Sequence, residues 1–421
     1  MRASAVDSLE IARMGACMAV SGGPLSGFRV IDLSAVVSGP LTAALLADQG
    51  ADVIKIERTG AGDIQRHVGS KRNGFSGFFH VINRGKRSLA LDLGTPEGRD
   101  VVHALARDAD VVVQNFRPGV ADRLGVGYAA LAERNPRLVY LSISGFGQTG
   151  PRAGERAYDP IIQSYAGLTE VQGRIHLDHP EQPEQVNMLL LDKLTAWTGC
   201  QAITAALLAR SRTGVGQHIE LSMLDTALAF SWADVAADLI LQGDGIEQRP
   251  PVGASGFMHR FADGWGASMT LSDDEFAGLC RVFARPQIAA DPRFASVDGR
   301  MHHRLELRAL MDGEFASVAA GMTVKEAAER MRAEEVPFAR ARRLGELHED
   351  EQIVHNRVFR EIDHPVAGRL RDARPAPLFS GTPVTPGGPA PSVGEHTRPL
   401  LSELGFTDAV IDDWYARGIV S

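Results

Sequence analysis

Between residues 28 and 143, near-continuous apolar runs alternate with helical stretches. The runs are Phe28-Arg29-Val30-Ile31-Asp32-Leu33, Asp52-Val53-Ile54-Lys55-Ile56-Glu57, Ser88-Leu89-Ala90-Leu91-Asp92-Leu93, Asp110-Val111-Val112-Val113 and Leu138-Val139-Tyr140-Leu141-Ser142-Ile143. A strand wetted on one face alternates apolar and polar residues. Runs without that alternation mean a mostly parallel sheet covered by helices on both faces. The helix signals agree. Val37-Ser38-Gly39-Pro40 opens a helix that Gly50 ends, and Thr95-Pro96-Glu97 supplies a cap, a proline at the first helical position and an acid in the first turn. The fold class is therefore α/β: a large Rossmann-like domain over 24–225, where ligands bind outside the carboxyl ends of the strands. A strand at Ile219–Met223 falls near its end. A smaller α+β domain spans 226–370, with a strand–turn–strand signal around Asp263-Gly264. Turn-rich connections lie near 242–256 and 375–391, and a C-terminal segment, 371–421, returns to the large domain.

Composition excludes several classes. A net charge of −8 lacks the basic field of a nucleic-acid binder. No apolar run reaches the roughly 18 residues of a membrane span. Cys17, Cys200 and Cys280 are far apart and show no metal-ligand spacing, which fits reduced thiols and a cytoplasmic setting. His176 and His179 also lack further ligand spacing, so no metal site is expected. Residues 1–23 carry Arg2, Asp7, Glu10 and Arg13 ahead of a short apolar run. That pattern does not suit a secretory signal and reads as an extension before the folded chain.

Basic and polar side chains gather where a ligand of such a sheet would lie. Val37 and Ser38 follow the first strand, Arg58 follows the second, and Lys86 precedes the third. Asn115, Phe116 and Arg117 follow the fourth, with Arg123 beyond them, and Arg156 and Tyr158 precede the next long helix. Any one of these is compatible with a solvated rim. As a set on an acidic protein they suit a phosphate-rich ligand. No GxGxxG or Walker lysine motif is present. Asp192 stands at the mouth of an almost uncharged helix expected over about Thr195 to Ala209. It reads either as an N-cap or first-turn acid or as a carboxylate nucleophile held at the rim of a buried helix.

These stretches resemble the class III CoA-transferase family, which includes formyl-CoA transferase, carnitine CoA-transferase and the alpha-methylacyl-CoA racemases. The resemblance runs from Leu25 to Val420. It rests on Val30-Ile31-Asp32-Leu33, Val53-Ile54-Lys55-Ile56-Glu57, Asn83-Arg84-Gly85-Lys86-Arg87-Ser88, Asn115-Phe116-Arg117-Pro118-Gly119, Arg212 to Gln217, Ala262-Asp263-Gly264-Trp265 and Gly394-Glu395-His396-Thr397. It implies Asp192 as the nucleophile. It also implies a coenzyme A site lined by Val37, Ser38, Arg58, Lys86, Asn115, Phe116, Arg117, Arg123, Arg156 and Tyr158. A substrate loop at Gly253, Ser255 and Gly256 and an interlocked, ring-like homodimer complete the implied picture. Coenzyme A enters as acyl-CoA substrate, not as a tightly bound cofactor, and the second substrate is a carboxylic acid.

Departures from the family narrow the choice. The racemases move a proton with a histidine where this chain has Tyr158, and a phenol, ionising near about pH 10, is a poor base at neutral pH. Transfer is therefore favoured over racemisation. A non-catalytic CoA-binding protein remains the third reading. Val37 replaces the glutamine of formyl-CoA transferase, which points to an acyl group larger or less polar than formyl and oxalyl.

Overall fold

The computed structural model describes residues 22–173, 181–234, 236–247, 256–384 and 387–421. The extension expected at 1–23 therefore falls outside it except for Gly22 and Gly23, as do His176 and His179. The chain divides into two compact units: residues up to Leu228 together with Asn356–Ser421, and Ala229–His355.

The first unit is built on six strands: β1 (Arg29–Asp32), β2 (Asp52–Glu57), β3 (Lys86–Ala90), β4 (Val111–Gln114), β5 (Val139–Ser144) and β6 (Gln217–Ser222). Their order is β3-β2-β1-β4-β5-β6, and every neighbouring pair is parallel. The order reverses between β1 and β4, the point at which such sheets open a ligand crevice. The strand read at Ile219–Met223 is β6, the edge beside β5.

Both faces of the sheet are covered, as the apolar runs require. Val30, Val53, Val111, Val113, Val139 and Leu141 pack on one side against Ala43, Leu46, Ile203 and Leu207. Those residues belong to helices α1 (Ser38–Ala47) and, in α3 (Leu190–Thr213), the long helix. Between them in sequence lies the short helix α2 (Asp159–Tyr165). On the other side Ile31, Ile54, Leu89 and Tyr140 pack against Val101, Leu105, Leu400, Leu401, Ile411 and Trp414. The C-terminal segment thus returns to the sheet. It does so earlier than residue 371: the hairpin Phe359–His364/Gly368–Ala373 places Ala367 and Leu370 against Phe75 and Phe79.

Helices α1 and α3 lie side by side in parallel. The Thr42 hydroxyl donates to the Ala196 carbonyl at 3.3 Å, and Gln49 Nε2 meets Cys200 Sγ at 3.4 Å. Gly199 permits this approach, since a Cβ there would lie 3.0 Å from Thr42 Oγ1. Both N-termini therefore open at the carboxyl end of the sheet. The helix α3 is longer than the sequence pattern suggests. Gly214, at φ 77°, ends it with its N–H on the Arg210 carbonyl, while Asp192 sits inside the first turn instead of ahead of it. Only one face of α3 is buried, because Trp197 and Leu208 are more than half exposed (55% and 57%).

A buried charge network lies under the loop between β1 and α1. The Lys86 ammonium donates to Asp32 Oδ2 (2.7 Å), the Pro40 carbonyl (2.7 Å) and Asn83 Oδ1 (2.8 Å). Lys55 reaches the Ser34 carbonyl (2.9 Å) and Asp63 (3.0 Å). Burial pushes the Lys86 amine down to about 8 despite Asp32. Burial also works against charge on Asp32, but Lys86 and Lys55 outweigh it and hold that carboxyl below its ordinary value.

The second unit has an antiparallel sheet of Gly256–Phe261, Gly264–Met269 and Phe338–Arg340, with the expected turn at Asp263. Phe276, Leu279, Phe283, Phe315, Ala327 and Met331 from its helices form a separate core with Phe261.

The network makes a stability prediction. Lys86→Met strands a buried carboxylate and should destabilise the protein by about 3–5 kcal/mol, read by urea denaturation. An unchanged midpoint with weakened CoA binding would instead put the ammonium on the ligand.

Candidate active site

The turn from β1 into α1 is strained. Val36, a β-branched residue, has φ 72°, a conformation that costs of order 1–3 kcal/mol and persists only when its surroundings impose it. Here they do. Asn115, just past β4, accepts the Ala35 N–H (2.9 Å) and donates to the Ala35 carbonyl (2.7 Å). Asp63, held by Lys55, accepts the Val36 N–H at 3.3 Å. The turn buries Val37 (2% exposed) and starts α1 at Ser38.

Opposite Ser38 stands Asp192, 7% exposed. Its own N–H donates to Asp159 Oδ2 at 2.9 Å. Asp159 is fully buried in the first turn of α2, where its Oδ1 accepts from Gln163 Nε2 at 2.5 Å. Gln163 in turn holds the strand-like approach to α3 through the Val186 N–H (3.0 Å) and the Met188 carbonyl (3.1 Å). The side-chain acceptor for this end of α3 thus comes from another helix: Leu189, its N-cap, has no side-chain bond. Of the two structural placements open to Asp192, N-cap or first turn, it takes the first turn.

Burial, followed by the Asp159 charge, raises the Asp192 carboxyl to about 6. The Ser38 hydroxyl, the Ser38 N–H and Lys193 pull the other way. At neutral pH the group is largely an anion with unusual basicity for a carboxylate, poised between helix dipoles that favour its charge.

Asp192 opens into a pocket of about 340 Å³ lined by Val36, Ser38, Asn115, Arg117, Ile143, Ser144, Gly145, Arg156, Ala157, Tyr158 and Met223. Gly145 keeps the wall close, because a Cβ there would lie 2.2 Å from Ala157 Cβ. Six of the expected residues therefore meet in one place: Ser38, Asn115, Arg117, Arg156, Tyr158 and Asp192. The others do not. Lys86 spends its donors in the buried network. Val37 is buried and outside the lining; Val36 lines the pocket. Phe116 packs on the sheet core. Arg58, bonded to the Gly62 carbonyl at 3.1 Å, and Arg123 are exposed and outside the lining. Gly253 and Ser255 lie outside the described residues, and Gly256 begins a strand of the second unit. Sequence reasoning missed Val36, Asp63 and Asp159. Only Asp159 carried a signal, as the acid next to Tyr158.

An acid of raised pKa beside a buried second acid, in a pocket entered by guanidinium groups, suits acyl transfer through a carboxylate. The family profile described as CoA-transferase family III matches residues 25–397. The chain belongs to that family. It is 32% identical over 396 residues to the succinate–glutarate CoA-transferase of Agrobacterium fabrum, covering 90% of this chain and 96% of that protein. It is 39% identical over 298 residues to the acetyl-CoA:oxalate CoA-transferase of Acetobacter aceti, covering 69% and 74%. A crystal structure of a CaiB/BaiF family protein from Brucella suis superposes with a TM-score of 0.77 at 28% identity, covering 91% of this chain and all of that one (100%). The protein is an enzyme of the class III CoA-transferase type.

The pKa of Asp192 sets two measurable outcomes. A carboxylate reacts as a nucleophile only as its anion, so a rate that depends on attack by Asp192 should rise through an inflection near about 6 and level off above it. Asp159→Asn, by removing the neighbouring charge, should move that inflection lower. The linked effect on stability has the opposite direction. A folded-state pKa raised above the unfolded value favours folding below about pH 4, and that advantage disappears as pH rises through the folded value. Asp192→Asn should therefore stabilise the protein at pH 7 by up to about 3 kcal/mol and have little effect at pH 4, measured by denaturation at both pH values.

Proposed function

We propose that the enzyme moves CoA from an acyl-CoA thioester to a carboxylic acid through an anhydride on Asp192. A carboxylate oxygen of Asp192 attacks the thioester carbonyl. The C–S bond breaks and its electron pair leaves as CoA thiolate, giving an aspartyl–acyl mixed anhydride. The acceptor acid attacks the aspartyl carbonyl, releasing the donor acid. The thiolate then attacks the acceptor's carbonyl and frees Asp192. No net proton transfer is needed, which fits a pocket whose aromatic member is Tyr158 and not a histidine. The observation that carries the reading is the buried Asp192 carboxylate, raised to about 6 and facing the Ser38 hydroxyl and N–H. The N–H at the head of α1 is a donor for the oxyanion that forms in each attack.

The CoA phosphates belong, in this reading, with Arg58 and Arg123, which are exposed outside the pocket. The relatives named for succinate, glutarate and oxalate support exchange between carboxylic acids.

The working form proposed is the interlocked homodimer. The apolar side chains that α2 and α3 leave exposed support it, with Ile161 and Tyr165 at about half exposure (51% and 50%) beside Trp197 and Leu208. An interface larger than the usual total of about 1,600 Å² should leave no stable folded monomer. Sedimentation on dilution into the nanomolar range checks this, and a folded monomer there contradicts it.

The chemistry is tested by substitution and trapping. Asp192→Ala and Asp192→Asn should both abolish exchange while leaving CoA bound, whereas a structural acid would tolerate Asn. With acyl-CoA and hydroxylamine, the wild-type Asp192 peptide should gain about 15 Da as a hydroxamate, because an anhydride is an activated carboxyl. Turnover by Asp192→Asn near the wild-type rate rules the mechanism out.

A further inference from the structure

A chain of side-chain hydrogen bonds runs from the edge strand of the sheet to the loop that holds the site. The parallel register sets it up. Gln114 on β4 lies opposite Ser142 on β5, and His218 on β6 lies opposite Tyr140, two positions before Ser142. Residues two apart on a strand share a face, so Gln114, Ser142 and His218 meet on one side of the sheet. They line a recess of about 190 Å³ that shares Arg117 with the Asp192 pocket. The Phe116 N–H donates to Gln114 Oε1 at 2.7 Å, Gln114 Nε2 donates to Ser142 Oγ at 2.9 Å, and Ser142 Oγ lies 2.8 Å from His218 Nε2. No step of the acyl transfer uses these groups.

Proton counting gives this relay one direction. A backbone N–H only donates, so the Gln114 atom facing Phe116 is the amide oxygen, and the amide nitrogen faces Ser142. The Ser142 hydroxyl therefore accepts from Gln114, and its single proton goes to His218 Nε2. A protonated Nε2 would leave that proton without an acceptor. The imidazole proton thus sits on Nδ1, 3.8 Å from Glu220 Oε1. The ring is held in place by Tyr128, stacked on it at 4.9 Å, and by the edge contact with Tyr140 at 5.6 Å. Burial keeps His218 below the usual imidazole range, against the pull of Glu220 on its own strand and of Asp122 from the segment Val120–Arg123. The neutral ring is therefore the form present at neutral pH. The remaining charged group of the recess is Arg117.

We infer that His218 is a positioning residue for acyl transfer: by taking the Ser142 proton it keeps the Gln114 amide oxygen on the Phe116 N–H and so locks the Asn115–Arg117 loop. This rests on the transferase reading above. Without an acceptor at His218, the Ser142 proton turns to Gln114 Oε1. The amide must then turn over, its nitrogen faces the Phe116 N–H, and two donors confront each other. Gln114 and Ser142 are both buried, so water does not relieve the conflict. The loop released in this way is the one that carries the site. Asn115 holds Ala35 on the strained turn ahead of Ser38, and Arg117 lines the Asp192 pocket. His218 lies outside the lining of that pocket and acts on it through three hydrogen bonds.

The test is a mutant cycle on the full-length enzyme at about pH 8, where Asp192 is ionised. His218→Leu removes the acceptor and should lower kcat for succinyl-CoA with glutarate by roughly 10–100-fold, because acyl transfer is sensitive to a misplacement of about 1 Å. His218→Gln, which can present an amide oxygen to Ser142, should stay within about 3-fold of wild type. Gln114→Glu supplies one carboxylate oxygen for the Phe116 N–H and a second for the Ser142 proton, which makes His218 dispensable. The double variant Gln114→Glu/His218→Leu should therefore recover to within about 3-fold of Gln114→Glu alone. Hydrogen–deuterium exchange of the peptide spanning Gln114–Arg117 should follow the same order, faster in His218→Leu and slow again in the double variant. A loss in His218→Leu that Gln114→Glu does not restore would assign His218 to packing and overturn the inference. A His218→Leu enzyme with wild-type rate and wild-type exchange would overturn it too. The exchange measurement needs no substrate, so a wild type without transferase activity would sink the transferase reading while the relay is still decided.

Discussion

The structure depends on keeping one buried carboxylate next to another. Asp159 cannot be removed from Asp192, because its Oδ2 accepts the Asp192 N–H and so fixes the start of α3. The same contact places a negative charge against the Asp192 carboxylate. Burial and that charge together make Asp192 more basic than an ordinary aspartate. The two helix N-termini, of α1 and α3, keep it anionic at neutral pH despite this. Parallel packing of those helices, made possible by Gly199 against Thr42, is what brings the N-termini together. Stability given up at Asp192 is the expected companion of reactivity there.

The second requirement is a rigid wall facing that carboxylate. The Val36 turn is unfavourable by itself, and Asn115 and Asp63 hold it in place. Asp63 is held by Lys55, and Lys55 shares the interior with Asp32 and Lys86. The buried charges of the first unit therefore act on function through position. They fix where the Ser38 hydroxyl and N–H point.

Much of this was legible from residue order alone. Near-continuous apolar runs specified a parallel sheet, and the helix signals located α1 and α3, because burial on both faces leaves a local pattern. Asp192, Asn115, Arg117, Arg156 and Tyr158 were found as chemistry-bearing residues at strand ends and met in one pocket. What sequence could not separate was a lysine that faces a ligand from one that is buried. Lys86 looks the same in either role until Asp32, Asn83 and Pro40 are brought around it by the fold. Val36 gave no sign of its positive φ, since only distant partners impose it. Whether Asp192 was the cap or a first-turn acid stayed open for the same reason: the group that serves that end of α3, Asp159, lies 33 positions away. The return of the chain to the first unit was placed late because the contacts of Ala367 and Leu370 with Phe75 and Phe79 span the sequence.

The covalent role of Asp192 is tested most directly by following oxygen. With an acceptor acid carrying ¹⁸O in its carboxylate and ordinary water as solvent, one turnover should leave one acceptor oxygen on Asp192, so the peptide containing it gains about 2 Da. Labelled donor acid should appear only on later turnovers. If the donor acid is labelled in the first turnover while Asp192 stays unlabelled, the acceptor has attacked the thioester directly and the anhydride on Asp192 does not form.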